Sequence, residues 1–120
     1  MTVEFPENRR FKRVPLKLLV KGKCLETLFR RRLFQGKTRD VSYEGLCIKV
    51  DSCNGFKVGQ KVKIKTRLYP GDFFLKALGR VCWVHGLHDP EWPVNMGVKL
   101  TNMRCYGLWV ERIENKIIQS

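Results

Sequence analysis

Short runs in which apolar and polar residues change places at every step recur along this chain, and they restrict it to strands packed on one face. In "KVKIKTRL", residues 61–68, Val62, Ile64 and Thr66 alternate with three lysines. "LCIKVD", 46–51, sets Leu46, Ile48 and Val50 against Cys47 and Lys49. "FFLKALGRVCWV" (73–84) and "VNMGVKL" (94–100) read as two further strands, and "VPLKLLVKG" (14–22) as the first, closed by Gly22. Turn signals separate them: Asn54-Gly55, Pro70-Gly71, and the Gly- and Pro-bearing "HGLHDPEWP". "CLETLFRRRLFQG" (24–36) fits neither period cleanly; its place between two strand-like runs makes it a strand or extended hairpin. Only the tail departs from the pattern. There Trp109, Ile113 and Ile117 recur at four-residue spacing with charged residues between them, which predicts an amphipathic helix over 103–117. Gly107 weakens its first turn by up to ~1 kcal/mol. Roughly five to seven short strands with regular turns predict a closed or nearly closed barrel, with the helix over one opening or flank.

A chain of 120 residues is one domain, large enough to bury roughly two-thirds of its surface on folding. Its 24 basic and 11 acidic residues give a net charge of +13, which points to an anionic partner. The charge is uneven: 12 of the basic residues but only three of the acids precede Asp40. Five cysteines without a CxxC pair read as small buried thiols of a reduced, cytoplasmic chain. No apolar stretch resembles a signal peptide or reaches the length of a membrane span, so neither secretion nor membrane insertion is expected.

Two groups of residues bear on chemistry. In "RRFKR", Arg9, Arg10, Lys12 and Arg13 offer planar forks that can grip phosphate or the Hoogsteen edge of guanine; the plain alternative is a solvated arm. In "DVSYEG", Asp40 and Ser42 can close an Asx-type turn with Gly45 at positive φ. Equally, the carboxylate can accept from guanine N–H donors, the hydroxyl can bind a second polar edge, and the glycine can admit a ligand to the backbone. Cys82, His85 and His88, followed by Asp89, form a C-x-x-H-x-x-H run, but a strand entering a Gly-Pro loop scatters such side chains, so no metal is expected. Trp83 is either core or a platform for a base. No Ser-His-Asp, Cys-His or paired-carboxylate arrangement is evident, and no enzyme is expected.

An RxxxR group, a strand, and then DxSxxG opening another strand resemble the PilZ domain family. "GQKVKI" (59–64), "GRVCWV" (79–84), "MGVKL" (96–100) and the tail helix fall in the order of that family's later elements. The resemblance implies a six-stranded antiparallel barrel with a C-terminal helix, the barrel and helix spanning 14–120 and a basic arm spanning 1–13. It further implies a non-enzymatic receptor for the bacterial second messenger cyclic di-GMP that signals to a protein partner, with motility and biofilm among the processes it would control. By motif position Arg9, Arg13, Asp40, Ser42 and Gly45 would bind the ligand, with Asn8, Arg10 and Trp83 secondary. Asn8, just before RxxxR, lacks the guanidinium that would favour a second ligand. The stretch 23–37 is longer than the family's usual first connection, and its Arg30, Arg31 and Arg32 read as a solvated hairpin. No cofactor is implied beyond the ligand itself.

Two competing classes make different demands. A nucleic-acid-binding barrel would spread aromatics over one sheet face, whereas Phe73, Phe74, Trp83 and Trp92 lie among apolar neighbours as core residues do, so nucleic acid is not the expected partner. A PilZ-like docking module without ligand would have lost one signature, and both are intact.

Overall fold

Alternation is realised as six strands in a computed structural model that describes residues 13–25, 31–51, 55–67, 71 and 74–119. They are β1 (Leu19–Leu25), β2 (Arg31–Val41), β3 (Gly45–Val50), β4 (Lys61–Thr66), β5 (Leu75–Gly86) and β6 (Val94–Met103), followed by helix α1 (Tyr106–Gln119). Every neighbouring pair is antiparallel, and the order β1-β2-β3-β6-β5-β4 closes on itself through the β1–β4 pair. Inward positions at a period of two fill the interior with Val20, Ile48, Val50, Val62, Ile64 and Met96, each 1 % exposed or less. Removing each such side chain from water contributes about 1.5–3 kcal/mol.

The helix closes one end. Trp109 and Ile113, one turn apart, are fully buried in the same core cluster. The Trp109 indole Nε1 donates to the carbonyl of Ser42 at 3.2 Å, and the Tyr43 hydroxyl donates to Glu114 Oε1 at 3.1 Å. These bonds fasten α1 to the turn between β2 and β3.

Several boundaries differ from the sequence reading. Residues 14–18 do not join the β1 ladder: Pro15 has no N–H to donate, and the Leu18 N–H and carbonyl are taken by Thr38. That stretch is held on β2 instead: Val14 and Val41 exchange both backbone bonds, and Thr38 accepts the Leu18 N–H at 2.8 Å through its hydroxyl. Gly22 does not end a strand but lies mid-β1 opposite Phe34, whose ring occupies the space a side chain would need. Of residues 24–36, the described ones end β1 and begin β2, with Leu25 paired with Arg31, as strand was expected there; Arg30 lies outside the described residues. On β2, Arg32 is only partly solvated: it is half-buried, donates to the Gly55 carbonyl at 3.0 Å and stands 6.0 Å from the Phe56 ring centre. The helix starts later than 103, because Met103 still pairs with Ala77 in the barrel and Cys105, at φ 58°, breaks the chain direction first. The thiols are not uniformly buried either; Cys24 and Cys47 are, Cys82 and Cys105 are exposed, and Cys53 lies outside the described residues. No described helix is long and apolar enough to cross a membrane.

Candidate functional site

Arg13, the described end of the first motif, meets the second through the Val14–Val41 bridge. Because Val14 is pinned to the end of β2, its neighbour Arg13 stands beside Asp40, and Arg13 Nη1 donates to Asp40 Oδ1 at 3.1 Å. The pair is partly open to solvent, with side-chain exposures of 38 % and 23 %. An ion pair this exposed contributes only about 0–1 kcal/mol to stability. Its consequence is placement: a guanidinium with several N–H groups is fixed at the mouth of a cleft.

That cleft, of about 200 Å³, runs between the start of β3, the end of β5 and the middle of β6. Arg13, Asp40, Ser42, Gly45, Trp83 and Lys99 line it. Two irregularities aim these residues. The β2–β3 register shifts between Thr38 and Asp40, and the β5–β6 register between Val81 and Trp83. A bulge at either place turns the next side chain away from strict alternation.

Gly45 is not at positive φ, so the turn explanation for it fails. Its reason is close approach: a Cβ there would sit 2.6 Å from the Val98 carbonyl oxygen, and β3 could not pair with β6 in this register. Ser42 is buried and its N–H donates to the Gly45 carbonyl at 2.9 Å, which holds the turn tight. Trp83 is half-buried rather than core; its indole lies over Gly97, where any side chain would collide with it, and meets the His85 ring edge-on at 5.1 Å. The aromatics expected in the core are in fact distributed over the surface. Phe74 is 48 % exposed and Trp92 is half-buried under Lys37, while Phe73 lies outside the described residues.

Burial raises the Tyr106 phenol to about 12, helped by the nearby Glu44 charge and Tyr43. The Tyr43 phenol is also raised, by burial first and then by its bond to Glu114. Cys47 behind the cleft is raised mainly by burial and then by the Asp40 charge, and its thiol donates to Asn95 Oδ1 at 3.3 Å. Among the described residues no three His, Cys, Asp or Glu side chains gather to hold a metal.

Of the residues singled out from sequence, Arg13, Asp40, Ser42, Gly45 and Trp83 are brought to one cleft, while Asn8, Arg9 and Arg10 lie outside the described residues. Glu44, Gly97 and Lys99 were missed. Glu44 sits inside the DxSxxG motif and could have been read there; the other two become neighbours only through the β3–β6 and β5–β6 pairing.

A single closed antiparallel barrel of six strands, sealed at one end by a C-terminal helix and open to a cleft at a strand turn, defines a small helix-capped β-barrel domain. The chain belongs to the PilZ domain family, whose sequence profile matches residues 7–105. No curated protein matches it in sequence. Among solved structures it is similar to the Bacillus subtilis inhibitor of motility, MotI/DgrA, with a TM-score of 0.73 and 12% identity over 96% of this chain. It spans 54%, about half, of that longer protein. It is also similar to the PilZ domain with c-di-GMP of YcgR from Escherichia coli, with a TM-score of 0.64 and 11% identity, covering 89% of this chain and 88% of that one. At such identities the likeness is one of fold.

Proposed function

We propose that this protein is a non-enzymatic receptor for cyclic di-GMP that passes its bound state to a protein partner. The observation that carries the reading is the meeting of the second RxxxR arginine with the DxSxxG aspartate at one cleft, in a chain of the PilZ family. A guanine dinucleotide offers two phosphates and two acceptor-rich Hoogsteen edges, which suit arginine forks, and N–H donors, which suit a carboxylate. Arg13 and Arg9 take the first role in this reading, Asp40 the second, and Trp83 provides a face for stacking. Asn8 and Arg10, outside the described residues, are secondary ligand residues in this reading, and Ser42 and Gly45 keep the turn that positions Asp40. The Escherichia coli structure that shares this fold carries c-di-GMP, which supports the ligand, and the Bacillus one is named for inhibition of motility, which supports motility as the process controlled.

Removing a bidentate arginine from such a site should weaken binding by roughly 1–3 kcal/mol, about tenfold or more. Arg13→Ala is therefore expected to lose that much affinity for cyclic di-GMP in titration calorimetry, while Arg30→Ala, matched in charge, is not. Equal losses in the two variants would mean diffuse attraction to a basic protein and no specific site.

A further inference from the structure

The outer face of β1, β4 and β5 carries lysines directly opposite one another. Lys21 faces Lys65, Lys23 faces Lys63, and Lys65 faces Lys76 across the next pair. Like charges at opposite positions destabilise a sheet. Strand lysines often guard an edge against other chains, but this barrel is closed and has no edge to guard. Among the described residues no carboxylate pairs with Lys21, Lys23, Lys63 or Lys76, and the nearby Asp51 accepts the Gln35 backbone N–H at 3.1 Å.

Apolar side chains share the same face. Five large hydrophobic residues are exposed among those described, and four of them, Leu19, Leu33, Phe74 and Leu78, stand here. Leu33 lies opposite Lys23 and Leu78 opposite Lys63, and the Lys65 ammonium stands 4.4 Å from the centre of the Phe74 ring. Among the lysines runs a groove of about 660 Å³ whose lining includes Leu33 and one acid, Asp51, and which shares no residue with the cleft of Arg13 and Asp40.

We propose that this groove is a second binding surface, for an acidic polypeptide segment whose carboxylates meet the lysines and whose apolar side chains meet Leu33 in its lining and Leu78 beside Lys63. The proposal rests on the receptor reading, in which a protein partner takes the signal, and assigns that partner's chemistry. A concave surface suits a rod-shaped segment, whereas a flat lipid surface would touch only the rim. Single-stranded nucleic acid wants several aromatic platforms; the one aromatic in the groove's lining, Phe34, is buried, and Phe74 beside the groove lies beneath both Lys65 and Arg67.

A random-peptide display library selected on the full chain tests this, with the double variant Lys21→Glu/Lys63→Glu as the comparison. Each change turns a like-charged pair into an opposite one, so the variant should melt no lower than the wild type and bind cyclic di-GMP unchanged. Enriched peptides should interleave Asp or Glu with Leu, Ile or Phe, and bind the wild type about tenfold or more tightly than the variant. Absence of enrichment, peptides without acids, or equal binding to both proteins overturns the proposal. So does tighter binding, at the same ionic strength, of phosphatidylglycerol vesicles or a single-stranded oligonucleotide. Should cyclic di-GMP fail to bind the wild type while such peptides still discriminate, the receptor reading falls and the groove stands.

Discussion

Asp40 is the residue on which recognition turns in this reading, because it already holds Arg13 at 3.1 Å and lines the cleft itself. An amide in its place keeps an acceptor oxygen but adds donors, which oppose the N–H groups of guanine. Asp40→Asn should therefore reduce the preference for cyclic di-GMP over cyclic di-AMP more than it reduces attraction to phosphate. Competition binding with the two dinucleotides measures this, and an unchanged ratio removes Asp40 from base reading. At this scale the sequence was informative about which residues matter and less so about why. Asp40 and Arg13 were visible as motif members. Gly45 was visible too, but its cause, the Val98 carbonyl, lies on a strand paired with it from more than fifty residues away. Trp83 was ambiguous because alternation alone would bury or expose it, and the register shift after Val81 does neither.

Among the elements, the helix offers the sharpest tests. Gly107 stands exposed in its first turn with open space around the position of a Cβ. Gly107→Ala should stabilise the protein by about 0.4–1 kcal/mol, since alanine fits the helix and has fewer unfolded conformations to lose. Denaturant titration reads this directly, and a loss of stability would mean that the glycine serves a contact the helix needs. Tyr106, the first residue of the helix, and Tyr43, bonded to it through Glu114, make a pH test. Tyr106 ionises near 10 when unfolded and at about 12 when folded. Between those values the folded state holds the proton that the unfolded state has lost, so stability is full below about 10 and falls as pH rises towards 12. Tyr43, shifted in the same direction, adds to the fall. Tyr106→Phe should flatten the decline of the melting temperature across that window; identical slopes for variant and wild type would contradict the assignment. Element legibility followed patterning. Lys61–Thr66 and the Trp109–Ile113 spacing announced themselves, while β2 was hidden by Arg30–Arg32 and Phe34, whose sense appears only once Gly22 makes room for the ring.

For the whole molecule, two opposed demands on charge coexist. One cleft combines Arg13 and Lys99 with Asp40 and Glu44, a mixed and selective environment, while the groove on β1, β4 and β5 is lined by five lysines and one acid, Asp51. The net charge of +13 was legible from composition, but its division into these two surfaces required the barrel order, which brings β1 beside β4 and β3 beside β6. The measurement that bears most directly on the central claim is calorimetric titration of the wild-type chain with cyclic di-GMP, with cyclic di-AMP as the comparison ligand. Saturable binding near one ligand per chain, at least about tenfold tighter than for cyclic di-AMP and little weakened by added salt, is predicted. Heats that do not saturate, or equal affinity for both dinucleotides that vanishes with salt, would contradict it.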